Sequence, residues 1–506
     1  MIGALVRKDW ALLWPLVLLA GAIQLCWEWS QYSYGFFGGV GDIDRALSAL
    51  SLAWLGAAAA LAAAVVQTDA PPSANQDWLI RPIPRTELLL AKLLFVALTI
   101  GLPSVMLDWV RAAATGFAPA ASLGAAVLKA ALLYVFLLVP VMALAATVVR
   151  MTDLLALGAA VIVVYGVVRS TASALLGADA CPTCGTGFAW IQHLWQHLEI
   201  LLGAVAILAL QYSRRGVIPA RLIALVGTVV VVIAQPPWGV AFALQRQLAP
   251  SATAKAAAVQ ESVARTRDVI AGDSGAAGAG IPVELSLRVA GIASDELLLI
   301  DRSEILYRDV AGKAPSRHID TSTLALAGGA QSGSAVAALQ TMTLSRAAVR
   351  ALSRKSARLL HWMTLMDLAG AVSLPGHDGT RRSAYAGRCA SRLSADGTAV
   401  SVRCHRLGAA PICVTATLYG ARGQHDPTVV NCQPDYRPYL PVTDIFTAFG
   451  VDVPLRDPSG VVHLAVDPTE LDHSTLQVDF YTARAHLRRD TALPAPSTAH
   501  EDGAAQ

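Results

Sequence analysis

Cysteine and histidine residues are the first candidates for chemistry in this chain of 506 residues. Cys181 and Cys184 have a Cys-x2-Cys spacing, and His193 and His197 follow at a spacing that places both imidazoles on one face of a helix. That combination is typical of zinc ligands. In an oxidising compartment, however, a disulfide is easier to maintain than two thiolates. We therefore favour a Cys181–Cys184 disulfide or unpaired thiols, and we assign no metal site.

Four further cysteines lie in the polar C-terminal half, on either side of two turn sequences. Asp396-Gly397 is a strong hairpin turn, because this dipeptide tolerates the positive φ that a type I′ turn needs. The flanking cysteines are each seven residues from this dipeptide, so they would face each other across the hairpin. A two-residue loop would make them a hydrogen-bonded pair of the strand ladder, so a longer loop is the alternative. A second turn over about 420–427 brings the other two together. Four cysteines allow three connectivities, and the hairpins favour Cys389–Cys404 and Cys413–Cys432.

Motifs of several enzyme classes are absent from the sequence. It contains no Gly-x4-Gly-Lys-Ser/Thr phosphate loop, no His-Glu-x2-His metalloprotease motif and no Gly-x-Ser-x-Gly nucleophile elbow. We therefore expect no enzymatic activity in this chain, and any ATP hydrolysis must come from a separate subunit.

Composition predicts that the first half of the chain forms membrane helices. The chain is 55% hydrophobic and 15% charged, whereas a globular protein has about 25% charged residues. A net charge of +3 disfavours a nucleic-acid partner. The apolar excess lies before about residue 245, and a bilayer takes about 20 apolar residues as helix. The predicted spans are 11–29, 48–67, 88–110, 122–148, 154–173, 191–211 and 217–240.

The distribution of basic residues predicts how these seven spans are oriented. With the N-terminus in the cytoplasm, nine of the thirteen Lys and Arg residues before position 245 fall on the inner side, as short cytoplasmic connections require. The C-terminal half then lies outside. We predict a multi-pass protein of the bacterial inner membrane with a cytoplasmic N-terminus and a periplasmic C-terminal domain.

Polar residues are few inside the predicted spans, and they include Gln24, Glu28, Asp108 and Glu199. Glu28 and Asp108 adjoin tryptophans, which predicts positions at the outer interface. Glu199 is deeper, and a carboxylate in lipid is a candidate functional group. The alternative is that its span begins later and Glu199 lies near the headgroups. Glu199 and Asp108 are therefore the candidate intramembrane polar residues.

The connection between the second and third spans is long and polar before it becomes amphipathic. Pro82 and Pro84 fix an extended stretch, because the residue before a proline is pushed out of the helical region. A helix then begins at Arg85 or Thr86, with Glu87 in its first turn, where the helix dipole favours an anion.

This connection, the N-terminal Leu-Val-Arg-Lys-Asp-Trp segment and the series of spans resemble ABC-2-type transporter permeases over about residues 1–240. The resemblance implies an exporter subunit that works with a separate ABC ATPase, pairs with a second permease subunit as a homodimer or heterodimer, and contacts membrane lipids. ATP and Mg²⁺ would bind to the ATPase, with no cofactor in this chain. The alternative is a non-transport anchor for a periplasmic interaction or sensor domain. The implied docking residues are Asp77, Trp78, Arg81, Pro82, Arg85 and Lys92.

The polar C-terminal half is predicted to be a mainly-β domain, sandwich-like in architecture, over residues 282–490. A helical stalk and a Gly/Ala-rich linker over 246–281 precede it, with the helix running from about 248 to 273, and a disordered tail follows over 491–506. One helix is expected near 345–356. The predicted strands are 283–289, 358–374, 384–393, 398–406, 411–419, 428–433 and 475–488.

Overall fold

The computed structural model describes residues 2–34, 41–69, 84–176, 189–214, 216–234, 238–268, 281–308, 315–320, 323–327, 336–344, 348–349, 357–394, 397–407, 413–420, 428–432, 446–455 and 468–493. Several predicted features lie outside these ranges. They are Asp77, Trp78, Arg81, Pro82, Cys181, Cys184, the Gly-rich linker, most of the predicted 345–356 helix and the end of the tail.

The predicted fold class is confirmed: a helical region with membrane spans precedes a mainly-β region. Within the described residues, six helical stretches are long and apolar enough to cross a membrane. Their outward faces carry large apolar side chains, as lipid contact requires. The helices are α1 (Ile2–Tyr34), α2 (Gly41–Gln67), α3 (Arg85–Val96), α4 (Leu102–Ala114), α5 (Pro119–Leu133), α6 (Val139–Ala145), α7 (Met151–Leu176), α8 (Ala189–Arg214), α9 (Val217–Ile233), α10 (Trp238–Leu248) and α11 (Pro250–Ala258).

The seventh predicted span is shorter than expected. The helix α9 ends at Ile233 rather than near residue 240, ahead of the Pro236-Pro237 pair in the sequence. Its 17 residues span about 25 Å, slightly less than the roughly 30 Å core of a bilayer. Hydrogen bonds from α8 side chains reach both of its ends, Gln196 to the Val231 carbonyl and Gln211 to the Gly216 carbonyl. The helix α9 therefore runs antiparallel to α8 along most of its length.

Two of the long spans contain a π-helical turn. These turns are Ala97–Gly101, between α3 and α4, and Tyr134–Leu138, between α5 and α6. Each is followed within two residues by a proline, Pro103 or Pro140. A proline lacks the N–H group and collides with the carbonyl four residues earlier, so the wider turn accommodates it without ending the helix.

The predicted helix over 248–273 is wrong in its second half. The helix α11 ends at Ala258, and Gln260–Asp268 forms the strand β1, which pairs antiparallel with β2 (Ile281–Ala290). The Ala-rich composition that predicted a helix ends where this pairing begins. Tertiary pairing with β2 outweighs the local preference.

Three sheets make up the β region. β2 pairs with β1 and β6; β8, β9, β10 and β13 form a second sheet; the third has the order β12-β11-β14-β7-β3-β4, with β5 beside β3. The remaining strands are β3 (Glu296–Arg308), β4 (Pro315–Asp320), β5 (Leu324–Ala327), β6 (Val336–Leu344), β7 (Ala357–Pro375), β8 (Gly379–Ser383), β9 (Gly387–Leu393), β10 (Ala399–Leu407), β11 (Cys413–Tyr419), β12 (Val429–Cys432), β13 (Phe446–Pro454) and β14 (Thr475–Ala492).

The large sheet supports two apolar cores, one at each end of its two longest strands, β7 and β14. One core lies against the β1-β2-β6 sheet and α11, and includes Val283, Leu285, Leu359 and Leu365. The other lies against the β8-β9-β10-β13 sheet, and includes Val402, Val451, Val478 and Phe480. The region is thus two sandwich-like units that share one sheet.

Two β-bulges between β7 and β14 change which side chains of these strands point into the two cores. The register shifts between Phe480 and Tyr481 and again between Ala483 and Ala485. One extra residue reverses which side chains face a given side of the sheet. Even-numbered residues of β14 fill one core and odd-numbered residues fill the other, which explains why the sequence alternates only loosely there.

Among the described residues, seven strands escape the sequence analysis: β1, β3, β4, β5, β6, β8 and β13. β3 is the most informative, because Leu297, Leu298, Leu299 and Ile300 are all buried. A strand covered on both faces reads as a continuous apolar run rather than an alternating one. The expected period of two is therefore missing.

Candidate functional site

The first candidate site is a group of buried charges around Lys92, which we call the Lys92 cluster (Lys8, Asp9, Thr68, Asp69 and Lys92). The Lys92 ammonium group on α3 lies 2.8 Å from Asp9 on α1 and 2.6 Å from Asp69, just after α2. It also donates to the Thr68 hydroxyl at 2.8 Å. Lys8 contacts Asp69 at 2.6 Å from a half-exposed position. Two carboxylates thus meet two ammonium groups.

Burial makes this arrangement depend on its pairing. The side chains of Lys92 and Asp9 are 1% and 0% exposed, and removing one partner of such a buried pair costs about 3–5 kcal/mol. The cluster holds α1 to both ends of the connection over residues 70–83. Sequence analysis expects Lys92 to form or support a docking surface. Lys92 is buried in this structure, where its described contacts are with Asp9, Thr68 and Asp69.

Arg85 is placed differently from Lys92. It begins α3, is exposed, and donates to the Ser213 carbonyl near the end of α8 at 2.7 Å. Basic groups are favourable at a helix C-terminus, where carbonyl groups have no helical partner. Arg221 does the same on α9, donating to the Thr147 carbonyl at 3.1 Å. At this end of the bundle, exposed or half-exposed arginines therefore link neighbouring helices.

A second group of buried charges, the Lys129 cluster, consists of Glu28, Asp108, Arg111 and Lys129. Lys129 on α5 lies 2.8 Å from Asp108 on α4, and Arg111 lies 3.0 Å from Glu28 on α1. The prediction that Glu28 and Asp108 lie at the outer interface stays a prediction; both side chains are buried, at 5% and 0% exposure. Burial is tolerable because two cations neutralise the two carboxylates.

The two clusters lie at opposite ends of α1. The positions of Asp9 and Glu28 are separated by about 28 Å along the helix, which is close to the thickness of a bilayer core. Between them, Gln24 donates to the Ser104 hydroxyl at 2.8 Å, and both side chains are buried. The helix α1 is thus held to α3 and α4 by polar contacts at three depths.

Sequence analysis missed most members of these clusters. Lys129 was the available signal, because it is a cation inside the predicted 122–148 span and an intramembrane cation needs a carboxylate partner. Asp9 and Asp69 gave no such signal, since each lies near the end of an apolar stretch. Their distance from Lys92 in the sequence, 83 and 23 residues, hides the contact.

Glu199 lies in an apolar groove between α6, α7, α8 and α9. One carboxylate oxygen accepts a hydrogen bond from the Trp195 indole at 2.7 Å. The other is shielded from solvent and has no hydrogen-bond partner among the described residues. The groove has a volume of about 350 Å³, and Tyr165 and Thr228 are the other polar residues that line it. Glu199 is thus partly enclosed by the helices that line the groove.

The described residues contain no group of three or more His, Cys, Asp or Glu side chains able to hold a metal ion. His197 packs edge-on against Phe136, with ring centroids 4.8 Å apart. The two cysteines of the zinc-like pattern, Cys181 and Cys184, lie outside the described residues.

Both predicted disulfides are present in the β region. Cys389 is bonded to Cys404 between β9 and β10, and Cys413 to Cys432 between β11 and β12. Each pair is directly opposite in the strand register. The loop around Gly397 is longer than two residues, because Ser394 and Ala399 form its closing hydrogen bond. Each disulfide contributes about 2–4 kcal/mol through the unfolded state.

We expect these four cysteines to resist alkylation until a reductant is added. Cys26 on α1 is a free thiol and serves as the internal control, since it should react in detergent without reduction. Mass spectrometry of peptides alkylated before and after reduction measures both. Free thiols at the four positions in membranes from aerobic cells would contradict the assignment of an oxidising compartment.

The β region and the helices contact each other at one end of the bundle. Gln245 on α10 exchanges two hydrogen bonds with the backbone of His486 on β14, at 2.7 and 2.9 Å. Phe117, in the connection between α4 and α5, packs in one cluster with Leu407 of β10. This is the end of the Lys129 cluster, opposite the Lys92 cluster.

A scan against protein-family models finds no match for this chain, and a search among curated proteins finds none either.

Proposed function

We propose that this chain is the membrane subunit of an ABC-type exporter, which moves a substrate across the inner membrane with ATP hydrolysed by a separate ATPase. The observation that carries the proposal is the Lys92 cluster. A connection that receives force from an ATPase must be joined firmly to the helices that move. Lys92, after the connection, lies 2.6 Å from Asp69, before the connection, and 2.8 Å from Asp9 on α1.

The proposed orientation places the Lys92 cluster and the 70–83 connection in the cytoplasm and the β domain in the periplasm. The positive-inside count supports it, and so do two disulfides in the β domain, because disulfides persist in oxidising compartments. The β domain contacts the end of the bundle opposite the 70–83 connection, which fits an odd number of crossings. The partners in this proposal are the ATPase, a second permease subunit and lipids.

A non-transport anchor remains the alternative function. The hydrogen bonds between Gln245 and His486 fix the β domain to the helices, which suits a domain that is merely held at the membrane surface. An anchor, however, requires no ATPase. The presence of an ATPase in the purified complex therefore separates the two functions.

Arg85→Glu tests the docking proposal. The exposed cation begins the helix after the connection, so reversing its charge should weaken ATPase binding and reduce co-purified ATPase by about tenfold or more, as desolvated interface charges allow. Membrane abundance should stay normal. Arg150→Glu is the matched control, because Arg150 is also exposed and lies in another connection predicted to be cytoplasmic. Equal ATPase recovery with Arg85→Glu and wild type, or equal loss with both variants, would argue against docking at this connection.

A further inference from the structure

The groove that contains Glu199, between α6, α7, α8 and α9, has the features of a ligand site. Its volume of about 350 Å³ is within the range of small-molecule pockets, which are mostly apolar with a few polar groups. Among the described residues that line it, Glu199 is the only charged one, and Tyr165 and Thr228 are the only ones with a hydroxyl group. One carboxylate in apolar surroundings therefore decides which ligands fit.

Both hydroxyl groups have partners on their own helices. The Thr228 hydroxyl donates to the Ala224 carbonyl at 2.8 Å. The Tyr165 hydroxyl accepts a hydrogen bond at 2.9 Å from Arg169, which is one turn further along α7. Arg169 is exposed and is not among the residues that line the groove. The two hydroxyls are thus already engaged, and neither of them balances a charge.

The charge of Glu199 has no counter-charge in the part of the chain that the structure describes. The indole of Trp195 donates to one carboxylate oxygen at 2.7 Å, but an indole is neutral. No lysine, arginine or histidine of the described residues forms an ion pair with Glu199 or lines the groove. A carboxylate in apolar surroundings is costly unless it is paired. A bound cation would supply the missing partner.

Two glycines leave free space in the lining of the groove. Gly203 is on α8 and Gly227 is on α9. A Cβ atom added at either position would meet no atom within 4 Å beyond the backbone of its own helix. The lining therefore has room beside both glycines, and a larger side chain can be introduced there without a collision.

The groove opens at the outer surface of the helical bundle. Ile162 on α7 and Ile200 on α8 line it and are exposed, whereas Ala204 lines its buried side. Both isoleucines belong to candidate membrane spans. Glu199 lies about 12 Å along the helix from Ile191, where the candidate span of α8 begins. In a membrane, a ligand would thus enter from the lipid and would need an apolar body.

We propose that this groove binds an organic cation with an apolar body, such as a quaternary ammonium or phosphonium ion. The Glu199 carboxylate would balance the positive charge, and the aliphatic lining would contact the apolar body. Molecules of this class dissolve in lipid, as the position of the opening requires. The inference concerns binding alone, so it does not depend on the presence of an ATPase partner.

The test is equilibrium binding of tetraphenylphosphonium to the full chain in phosphatidylcholine nanodiscs, with empty nanodiscs as the measure of partitioning into lipid. Tetraphenylborate has the same shape and the opposite charge, so it is the matched ligand control. We expect saturable binding of the phosphonium ion that is tighter than binding of the borate by about tenfold or more. Equal binding of the two ions, or no saturable binding of the phosphonium ion, would overturn the proposal.

Glu199→Gln tests the role of the charge. Glutamine keeps an acceptor for the Trp195 indole and removes the negative charge, so the affinity for the phosphonium ion should fall by about tenfold or more. Asp153→Asn removes an exposed carboxylate from the first turn of α7 and should leave the affinity unchanged. An unchanged affinity in Glu199→Gln, or an equal loss in Asp153→Asn, would mean that Glu199 does not bind the cation.

Gly227→Leu tests the location of the ligand. The leucine side chain would occupy free space of the groove, so saturable binding of the phosphonium ion should be lost. Gly124→Leu is the matched control, because Gly124 is exposed on α5 outside the groove and also has no atom within 4 Å of an added Cβ atom. Retained binding in Gly227→Leu, or an equal loss in Gly124→Leu, would contradict binding in this groove.

Discussion

Replacing Lys92 by methionine is expected to lower the melting temperature of the detergent-purified protein by roughly 10 °C or more. The change leaves the carboxylates of Asp9 and Asp69 buried with only the half-exposed Lys8 beside them. Loss of one partner from a buried pair costs about 3–5 kcal/mol, and 1 kcal/mol shifts the melting temperature of a mid-sized domain by about 2–4 °C. Fluorescence-detected size-exclusion chromatography after heating measures the shift.

Two further variants separate charge imbalance from lost packing. Lys92→Met combined with Asp9→Asn leaves the Asp69–Lys8 pair intact and should recover more than half of the lost stability. Lys8→Met, which removes the half-exposed cation of the same cluster, should change stability by about 1 kcal/mol or less, as for surface ion pairs. A Lys92→Met protein as stable as wild type, or a double variant no better than the single one, would mean that the cluster does not hold these helices together.

Acidification is expected to weaken the β domain, and His486 is the residue responsible. Burial lowers the pKa of His486 from its ordinary 6.5 to about 4. Its Nδ1 atom lies 2.8 Å from the Thr364 hydroxyl, which itself donates to Asp301 at 2.5 Å. The hydroxyl must therefore accept a hydrogen bond from a protonated Nδ1, so the buried ring is held as one neutral tautomer.

The sign of the pH effect follows from proton binding. The unfolded chain takes up a proton near pH 6.5, and the folded protein does so only near pH 4. Between these values the unfolded state binds more protons than the folded state. The free energy of unfolding therefore decreases by about 1.4 kcal/mol for each unit by which the pH is lowered. Above about pH 6.5, His486 does not contribute to the pH dependence of stability. Thermal unfolding between pH 7.5 and 4.5, followed by tryptophan fluorescence, measures the dependence.

His486→Gln is the matched control, because glutamine keeps a polar side chain and cannot titrate. Its melting temperature should fall less steeply than that of wild type below pH 6.5, with the two curves parallel above it. Identical slopes for both proteins throughout the acidic range would show that His486 is not the titrating group.

Sequence patterns predicted what depends on neighbours along the chain. The Asp396-Gly397 dipeptide in the sequence predicted that Cys389 lies opposite Cys404, as the strand register has it, because a turn and two short strands are local. The six long spans were found for the same reason, since a run of apolar residues is sufficient to mark a helix in lipid.

Contacts between distant segments were not predictable in this way. In the sequence, Lys92 lies near the start of a predicted span and is one of the docking residues that the family resemblance implies. Its burial becomes apparent only when α1 brings Asp9 beside it. The same holds for the bulge in β14, where one extra residue near Arg484 reverses the alternation.

If this chain works with an ATPase, wild-type protein purified from its own membranes should bring that subunit with it. In mild detergent, with crosslinking before extraction, we expect an ABC ATPase subunit in near-stoichiometric amount and a complex that hydrolyses ATP. Recovery of the intact chain with no ATPase would contradict the exporter function, and would leave the membrane anchor for the β domain in its place.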